Sequence, residues 1–351
     1  MSAPVETPIA PGRFNRVEYS GQSLKVAGWM FLPGRQLDQY RLECNGIALA
    51  PEIAPFGQDG VAARFPAYPE ARNSGFAFAS PATQETFRDW AEVEVFGRIQ
   101  GSDVGRLSVL YRLGYEKSLP AAPTELRRRV SGVPASRNPI ASHWLAGLET
   151  FSKFYKPIQE YTVPGQVRRL LDWGCGCGRV TGLLLKYFDR AEVNGCDIDR
   201  ETIEWCTEHF PRGRFSTVAT SPPTEYPDYY FDVVVACSVL THLSQEKQEE
   251  WLRELRRIIA PGGLAALSVN GEFPARAYQN PQFVVPEFEA TGISDRALDP
   301  ILKGIAPDGY YRTTYQSKAH TQREFARHFK ILEYIDYGMG NLQDLVVMRK
   351  E

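Results

Sequence analysis

The chain has 351 residues, of which 40 are lysine or arginine and 42 are aspartate or glutamate, so its formal net charge is −2. This length predicts two or three domains, and the balanced charge excludes the basic excess typical of nucleic-acid-binding proteins. No apolar run reaches the roughly 18 residues that a membrane span needs. Neither nucleic acid nor a membrane is therefore an expected partner.

The N-terminal part of the chain has the pattern of a β-domain. Residues 1–13 are rich in proline and polar side chains and contain no signal-peptide core, which predicts a loose tail. Residues 14–118 predict a β-sandwich, because they contain short strand-like runs separated by turn residues. These runs are residues 24–31, 39–44, 47–53, 75–79, 91–99 and 107–113. Asn45-Gly46 favours a type I′ hairpin turn between two of them.

The sequence leaves the role of this sandwich open. One interpretation is a scaffold or a homo-oligomer interface, and the other is a module that binds sugars or presents a substrate. The aromatic residues that would support binding could equally form its core: Trp29, Phe31, Phe76 and Phe78. Fold alone does not decide between these roles.

A linker and a long helix follow the sandwich. Residues 119–139 are rich in proline, serine and arginine and predict a linker, with Arg127-Arg128-Arg129 as a solvated helix face. Residues 140–161 carry apolar side chains at helical spacing, among them Phe151 and Tyr155. This helix could close over a ligand, although core packing is the favoured interpretation of the two aromatic side chains.

Residues 170–180 read Leu-Leu-Asp-Trp-Gly-Cys-Gly-Cys-Gly-Arg-Val, an apolar strand followed by glycine at every second position. With the amphipathic helix that follows, this pattern predicts a nucleotide cradle, because glycine lets a ligand approach the backbone. The spacing differs from the dinucleotide pattern G-x-G-x-x-G, and Asp172 precedes it. A carboxylate there would repel a pyrophosphate but suits a ligand with a cationic amino-acid end, such as S-adenosylmethionine.

The next predicted strand, residues 191–196, ends at Asp197, about 20 residues beyond the last glycine. A carboxylate at this place can accept hydrogen bonds from both hydroxyls of a ribose. Alternation then continues with a helix over 200–210, which Asp199 caps, and with strands over 214–220 and 231–237. A helix over 245–259, which Ser244 caps, ends before Pro261-Gly262-Gly263, and a strand over 264–269 follows. Such alternation predicts a parallel sheet with ligands at the carboxyl ends of its strands.

The six cysteines are scattered through the chain and do not resemble a disulfide framework, which favours a cytoplasmic location. Cys175 and Cys177 lie in the glycine turn, and no second Cys/His pair at ligand spacing accompanies them. We therefore expect small turn-filling side chains and no metal site.

Residues 270–321 interrupt the alternation and are rich in proline, aromatic and charged side chains. Long segments between strands usually carry function, so we expect a substrate lid here, in which Tyr310, Tyr311 and His320 shape the acceptor site. A short helix over 321–329 and a closing hairpin of strands 330–337 and 344–349 complete the chain.

Residues 125–351 resemble the class I S-adenosylmethionine-dependent methyltransferases. The motifs that carry the resemblance are residues 171–179, 195–199, 231–232, 238–243 and 261–263. Residues 238–243, 251–255 and 343–347 are similar to a bacterial subgroup that often accompanies glycosyltransferase and glycan genes. The N-terminal residues Gly28-Trp29 and Ser74-Gly75-Phe76 look similar to accessory β-domains in that setting.

The resemblance implies an α/β fold, with a Rossmann-like seven-stranded sheet whose last strand is antiparallel, in a methyltransferase domain over residues 140–351. It implies S-adenosylmethionine as cofactor, S-adenosylhomocysteine as product, and these binding residues: Asp172, Gly174, Cys175, Gly176 and Gly178 for the methionine end, Asp197 for the ribose, Ile198 for adenine, and Cys237 and Ser238 near the methyl group. Many members carry an aspartate at the end of the third strand, where this chain has Ala219 and Thr220 as candidate adenine contacts.

His242 is the candidate catalytic base. It follows the fourth strand at the ligand edge, and its pKa class suits removal of a proton from a sugar hydroxyl as that hydroxyl attacks the methyl group. The alternative is that His242 only orders the start of the next helix.

Three functions stay open at this point. The first is O-methylation of a sugar or glycan, which the accessory sandwich and the aromatic-rich lid favour. The second is methylation of another small metabolite, with the sandwich serving only for dimerisation. The third is a non-catalytic S-adenosylmethionine-binding module, because a cofactor cradle does not by itself prove turnover.

Overall fold

The computed structural model describes residues 7–82, 90–112, 119–131, 140–163, 165–277, 285–340 and 342–351. These residues form a β-sandwich at the N-terminus and a seven-stranded sheet flanked by helices at the C-terminus. The predicted fold class, an α/β Rossmann-like sheet preceded by a β-sandwich, is confirmed. None of the described helices is both long and apolar enough to cross a membrane.

The sandwich consists of two antiparallel sheets that share one core. Its elements are β1 (Gly12–Tyr19), β2 (Ser23–Met30), β3 (Gln39–Cys44), β4 (Ile47–Ala48), α1 (Asp59–Arg64), β5 (Gly75–Pro81), β6 (Trp90–Ile99) and β7 (Ser102–Arg112). The strand orders are β1-β2-β5 and β4-β3-β6-β7. Leu24 of the first sheet and Val93 of the second are both fully buried in the same cluster. Asn45 and Gly46 have φ of 51° and 75°, as a type I′ turn requires.

Two strands differ from those predicted, each for a local reason. β1 was not predicted, because a register shift between Phe14 and Arg16 breaks the apolar alternation. The strand predicted over residues 47–53 is a strand at Ile47–Ala48, and Ile53 pairs again with Tyr40 as an isolated bridge. Pro51 has no N–H to donate to a ladder, so the chain leaves the sheet before it.

Two segments that were expected to be irregular contain ordered structure. Within the predicted tail, residues 1–13, Ala10 is fully buried and its N–H donates to the Arg106 carbonyl at 3.1 Å. Within the predicted linker, residues 119–139, the described part contains helix α2 (Thr124–Ser131). The linker expectation is therefore corrected over these eight residues.

Helix α3 (Ile140–Tyr161) has the predicted bounds and joins the two halves of the chain. On its sandwich side, Glu149 accepts a hydrogen bond from the Phe14 N–H at 3.2 Å. Ser152 accepts another from the Leu110 N–H at 2.8 Å. These contacts attach the helix directly to β1 and β7.

The aromatic side chains of α3 pack in the core, as the favoured interpretation predicted. The Phe151 and Tyr155 rings lie 4.7 Å and 4.6 Å from the Tyr187 ring. Trp90 of the sandwich lies 4.0 Å from the same Tyr187 ring. The two domains therefore share an aromatic cluster beneath this helix.

The C-terminal half is built on one mixed sheet with the order β10-β9-β8-β11-β12-β16-β15. Its elements in chain order are β8 (Arg169–Trp173), α4 (Thr181–Tyr187), β9 (Glu192–Asp197), α5 (Arg200–His209), β10 (Arg214–Thr217), β11 (Phe231–Ala236), α6 (Gln245–Ile258), β12 (Ile259–Val269), α7 (Glu272–Ala277), α8 (Val285–Thr291), β13 (Ile293–Leu298), β14 (Arg312–Gln316), α9 (Lys318–Phe325), β15 (Lys330–Met339) and β16 (Gln343–Arg349). β16 runs antiparallel to both of its neighbours. The antiparallel last strand and the closing hairpin are confirmed.

Helix caps follow the sequence closely. Asp199 accepts a hydrogen bond from the Glu201 N–H, and Ser244 accepts one from the Lys247 N–H. Ser317 caps α9, so this helix begins three residues earlier than predicted. The helices that follow β9 and β11 therefore begin where a capping side chain fixes them, close to the strand ends at which ligands bind in such sheets.

The predicted lid, residues 270–321, forms helices and the hairpin β13-β14 outside the main sheet, while residues 278–284 lie outside the described part. Thr314 of β14 donates its hydroxyl hydrogen to the Leu243 carbonyl at 2.8 Å. The hairpin is therefore attached beside the end of β11.

The four aromatic residues considered for sugar binding are all buried. Phe76 and Phe78 lie in the sandwich core. Trp29 and Phe31 lie in a separate cluster that also contains Phe273 of α7. The alternative interpretation, that these rings are core residues, therefore describes all four.

Candidate active site

The glycine turn between β8 and α4 adopts the backbone conformation that only glycine tolerates well. Gly174, Gly176 and Gly178 have φ of 74°, 52° and 74°. The N–H groups of Gly174 and Cys175 both donate to the Cys196 carbonyl, at 2.8 Å and 3.0 Å. The turn is therefore fixed against the end of β9.

Asp197 at the end of β9 is the second part of the site. One carboxylate oxygen accepts from the Gly176 N–H at 2.8 Å, and the other accepts from the Asp199 N–H at 2.9 Å. Burial raises the pKa of this carboxyl above its usual value. The Ile198 N–H is a further backbone donor to this carboxylate, which has about four acceptor positions and so retains capacity for a ligand hydroxyl.

Asp172 and Arg179 line the same pocket with opposite charges. Asp172 is 3% exposed and accepts a hydrogen bond from the Thr181 hydroxyl at 2.6 Å. Burial raises its pKa to about 6. Among the described residues, no carboxylate forms an ion pair with the Arg179 guanidinium, which also lies beside the Cys237 thiol.

Helix α2 covers the mouth of the pocket, which the sequence analysis did not predict. Arg129 and Val130 both line the pocket. A Cβ added to Gly176 would lie 2.6 Å from Val130, so the helix rests directly on the glycine turn. Arg127 is 6% exposed and donates to the Ala122 carbonyl. The interpretation of this arginine run as a solvated face is therefore wrong for Arg127 and Arg129.

An apolar wall lies next to Asp197. It is formed by Ile198 and Val218, and Val239 and Leu243 are further apolar residues that line the pocket. The Val218 N–H donates to the Asp197 carbonyl at 3.0 Å, which brings this side chain to the pocket. Ala219 and Thr220, the residues predicted here, do not line it, because β10 ends at Thr217 and the chain turns away.

His242 also lines the pocket and is held by the lid. His242 Nδ1 lies 2.8 Å from the Arg312 carbonyl oxygen, so the neutral ring donates from Nδ1 and leaves the Nε2 lone pair free. Nε2 lies 3.5 Å from the Ser238 hydroxyl oxygen. The Tyr311 ring stacks on the imidazole at 4.1 Å and 12°. Burial lowers the pKa of His242 below its usual 6.5.

Ser238 is held in an unusual backbone conformation by a polar network. Its φ is 62°, in the left-handed region that a serine rarely adopts. Its N–H donates to the Ser268 hydroxyl at 2.7 Å, and its own hydroxyl accepts from the Gln343 amide at 3.0 Å. Thr241 is a further hydroxyl partner at 2.9 Å. Sequence reasoning missed Ser268 and Gln343, because they come from distant strands.

Residues 171–267, which supply most of this pocket, match the family model described as "Methyltransferase domain". This segment of the chain is a methyltransferase domain. The matched segment runs from β8 to β12 and includes the glycine turn, Asp197 and His242.

Two curated relatives are similar to this methyltransferase domain. Trans-aconitate 2-methyltransferase of Variovorax paradoxus is 32% identical over 165 residues, which cover 44% of this chain and 60% of that protein. Phosphoethanolamine N-methyltransferase 3 of Arabidopsis thaliana is 31% identical over 120 residues, which cover 33% of this chain and 23% of that protein. The chain thus spans less than two thirds of either relative.

Solved structures are also similar to part of the chain. A S-adenosylmethionine-dependent methyltransferase of Methanosarcina mazei has 19% identity and a TM-score of 0.44, covering 56% of this chain and 97% of that one. The PH0226 protein of Pyrococcus horikoshii has 18% identity and a TM-score of 0.42, covering 58% of this chain and 89% of that one.

The residues of the methyltransferase pocket fit S-adenosylmethionine. Asp197 offers two carboxylate lone pairs for a ribose, and the apolar wall beside it suits an adenine ring. Asp172 and Arg179 offer one negative and one positive group to a zwitterionic amino-acid end. The turn at Gly174 leaves backbone, rather than side chains, facing the ligand.

The structure brings most of the predicted site residues of the methyltransferase domain together in one pocket. The predicted residues that line it are Asp172, Gly174, Cys175, Gly176, Asp197, Ile198, Cys237, Ser238, His242, Tyr310 and Tyr311. Gly178 faces Phe210 instead, where an added Cβ would lie 2.6 Å from that ring. His320 lies outside the pocket, 2% exposed on α9, with Nδ1 3.2 Å from the Thr291 carbonyl oxygen. The prediction that His320 shapes the acceptor site is therefore corrected.

Proposed function

We propose that this protein catalyses the S-adenosylmethionine-dependent O-methylation of a neutral hydroxyl acceptor of the sugar or glycan class. The observation that carries the proposal is the geometry of His242. Its Nδ1 hydrogen is engaged by a backbone carbonyl, and its unprotonated Nε2 lies 3.5 Å from the Ser238 hydroxyl oxygen. A neutral imidazole in this orientation can take a proton from a bound hydroxyl group.

The charges of the pocket support a neutral acceptor. The charged side chains that line it come from α2, from β8 and the turn after it, and from the end of β9: Arg129, Asp172, Arg179, Asp197 and Asp199. At the His242 end, the described lining residues include Ser238, Leu302, Tyr310 and Tyr311, none of which carries a charge at neutral pH. Hydroxyl groups and aromatic faces can hold a sugar ring through hydrogen bonds and stacking contacts.

The chemistry follows from these positions. S-adenosylmethionine, when bound, supplies a methyl group already activated on a sulfonium. The Ser238 hydroxyl orients the acceptor oxygen, and Nε2 of His242 receives the acceptor proton. The lid residue Tyr311 covers the imidazole ring of His242 and keeps water away from it.

An organic acid is the second candidate acceptor, because the Variovorax paradoxus relative is named trans-aconitate 2-methyltransferase. A carboxylate is already ionised at neutral pH and needs no base, whereas a hydroxyl does. The two candidates therefore differ in their dependence on His242.

The test measures S-adenosylhomocysteine release with a panel of mono- and oligosaccharides and a panel of di- and tricarboxylic acids. We expect turnover with a saccharide, and we expect His242→Ala to slow it within the 10²–10⁴-fold range of a lost base, with S-adenosylhomocysteine affinity kept. Turnover only with acids, at a rate unaffected by His242→Ala, would establish the second candidate. Binding of S-adenosylhomocysteine without turnover on either panel would instead indicate a non-catalytic binding module.

A further inference from the structure

We propose that the lid strand β14 positions the base, with the Tyr311 ring and the Arg312 carbonyl holding His242 so that Nε2 alone is free to take a proton. This inference deepens the proposed function and rests on it. It assigns a positioning role to two lid residues that act through His242 and not on the reacting atoms.

Two lid contacts restrain His242 itself, and a third restrains the next residue, Leu243. The Arg312 carbonyl, 2.8 Å from Nδ1, fixes which nitrogen carries the hydrogen. The Tyr311 ring, nearly parallel to the imidazole at 4.1 Å, covers one of its faces and restricts its rotation. The Thr314 hydroxyl donates to the Leu243 carbonyl, which fixes the strand against the residue after His242.

The rest of the hairpin is fixed to the main sheet close by. Asn270, the residue that follows β12, donates from its side-chain amide to the Thr314 carbonyl at 3.1 Å. Its own carbonyl accepts from the Gln316 N–H at 2.9 Å. β14 is therefore held at two points, Thr314 and Gln316, which both follow the residues that contact His242.

Few charges act on the imidazole. Asp299, in the lid before β14, is the carboxylate that favours its protonated form. The Arg312 guanidinium is turned away, with bonds to the Gly309 and Asp295 carbonyls, both at 3.0 Å. The Tyr311 phenol is neutral, since burial raises its pKa. Burial lowers the pKa of His242, and this effect outweighs that of Asp299, which raises it.

This arrangement gives the proton a defined path. As the acceptor oxygen forms its bond to the methyl carbon and the carbon–sulfur bond breaks, the hydroxyl proton passes to Nε2 of His242. Nδ1 keeps its own hydrogen, and the hydrogen bond to the Arg312 carbonyl stabilises the positive charge of the resulting imidazolium. The proton is then released to solvent. If the lid is displaced, the imidazole becomes hydrated, its pKa rises towards 6.5, and either nitrogen can carry the hydrogen.

The test follows the imidazole directly, in the cofactor-free protein and without any acceptor. Long-range ¹H–¹⁵N spectra of ¹⁵N-histidine-labelled full-length protein report the tautomer and pKa of each of the five histidines, with His242→Gln to assign the signal. We expect the Nδ1–H tautomer and a pKa below 6.5 in the wild type. Tyr311→Leu should raise this pKa towards 6.5 and populate both tautomers, while Tyr311→Phe should keep the wild-type values.

Two further variants keep the test decisive. Thr314→Val removes one attachment of β14 at constant side-chain shape and should shift the His242 pKa in the same direction as Tyr311→Leu. Tyr310→Leu removes a ring from the same lid that does not stack on His242, and should leave the titration of His242 unchanged. Once a substrate is known, the acid limb of the kcat profile should move to higher pH in Tyr311→Leu and not in Tyr311→Phe.

An unchanged tautomer and pKa in both Tyr311→Leu and Thr314→Val would overturn the inference, as would an Nε2–H tautomer in the wild type. If Tyr311→Leu does not fold, Thr314→Val decides the outcome by itself. Failure of the proposed function gives a different result, because it appears in the turnover assay as the absence of turnover with any saccharide, whatever the histidine spectra show.

Discussion

The Arg129 guanidinium lies 3.0 Å from the Asp199 carboxylate, so helix α2 is ion-paired to the loop that follows β9. The same guanidinium lies 2.8 Å from Glu201. Arg128, the preceding residue, pairs instead with Glu125 of its own helix. One arginine of the run therefore connects the cover of the pocket to the cofactor-binding edge, while its neighbour does not.

We expect Arg129→Gln to weaken S-adenosylhomocysteine binding by roughly fivefold, because a partly exposed ion pair contributes about 1 kcal/mol. Titration calorimetry at low and high salt would measure this effect. Arg128→Gln is the matched control and should bind with wild-type affinity. Equal affinities for the two variants would show that α2 does not contribute to ligand retention.

Arg179 should recognise the carboxylate of the amino-acid end. Among the described residues, no carboxylate lies within ion-pair distance of Arg179, although its charge acts on Asp172 and Glu149. Arg179→Ala should therefore weaken S-adenosylhomocysteine binding by about 10–100-fold, the loss expected for a charge-assisted hydrogen bond. 5′-Methylthioadenosine lacks that carboxylate and should bind the variant and the wild type equally well. Parallel loss of both ligands would place Arg179 in a general structural role.

Ligand affinity should depend on pH through Asp172. Burial raises the pKa of this carboxyl to about 6, and a cationic ammonium group favours its ionised form. S-adenosylhomocysteine should therefore bind more tightly as pH rises through 6, and affinity should fall below it by up to about tenfold per pH unit. Calorimetry from pH 5 to 8 would measure this slope. In Asp172→Asn the slope should be smaller, and a slope identical to the wild type would contradict the assignment.

Phe273 should stabilise the junction between the two domains. Its ring lies 6.1 Å, 6.2 Å and 5.4 Å from Phe31, Phe65 and Tyr68 of the sandwich. We expect Phe273→Ala to lower the free energy of unfolding by about 2 kcal/mol, since the ring is half-buried. Chemical denaturation would measure this loss, and Phe56→Ala, which removes a 43% exposed ring, should cost under about 1 kcal/mol.

Sequence reasoning located the parts of the site whose chemistry is local. The glycine turn and Asp172 are contiguous, and Asp197 follows at a spacing set by one strand–helix–strand unit. Strand and helix periodicity also placed α3 at its observed bounds. Each of these features is encoded within about 30 residues of chain, so one sequence is sufficient to predict it.

The missed contacts join segments that are far apart in the chain. Arg129 and Asp199 are 70 residues apart, as are His242 and Arg312. Hydrophobic periodicity carries no information about such pairs. His320 was assigned to the acceptor site by composition alone, but the Ser317 cap starts α9 early, and this side chain is buried beside Gly292.

The left-handed conformation of Ser238 sets a limit on how this protein can be improved. Glycine would relieve the backbone strain at φ 62°, and it is the substitution that a search for thermal tolerance would select. Glycine would also delete the hydroxyl on which Gln343, Thr241 and His242 converge. Stability therefore favours glycine at this position, whereas catalysis favours serine. A screen for stability without an activity measurement would select variants that have lost function.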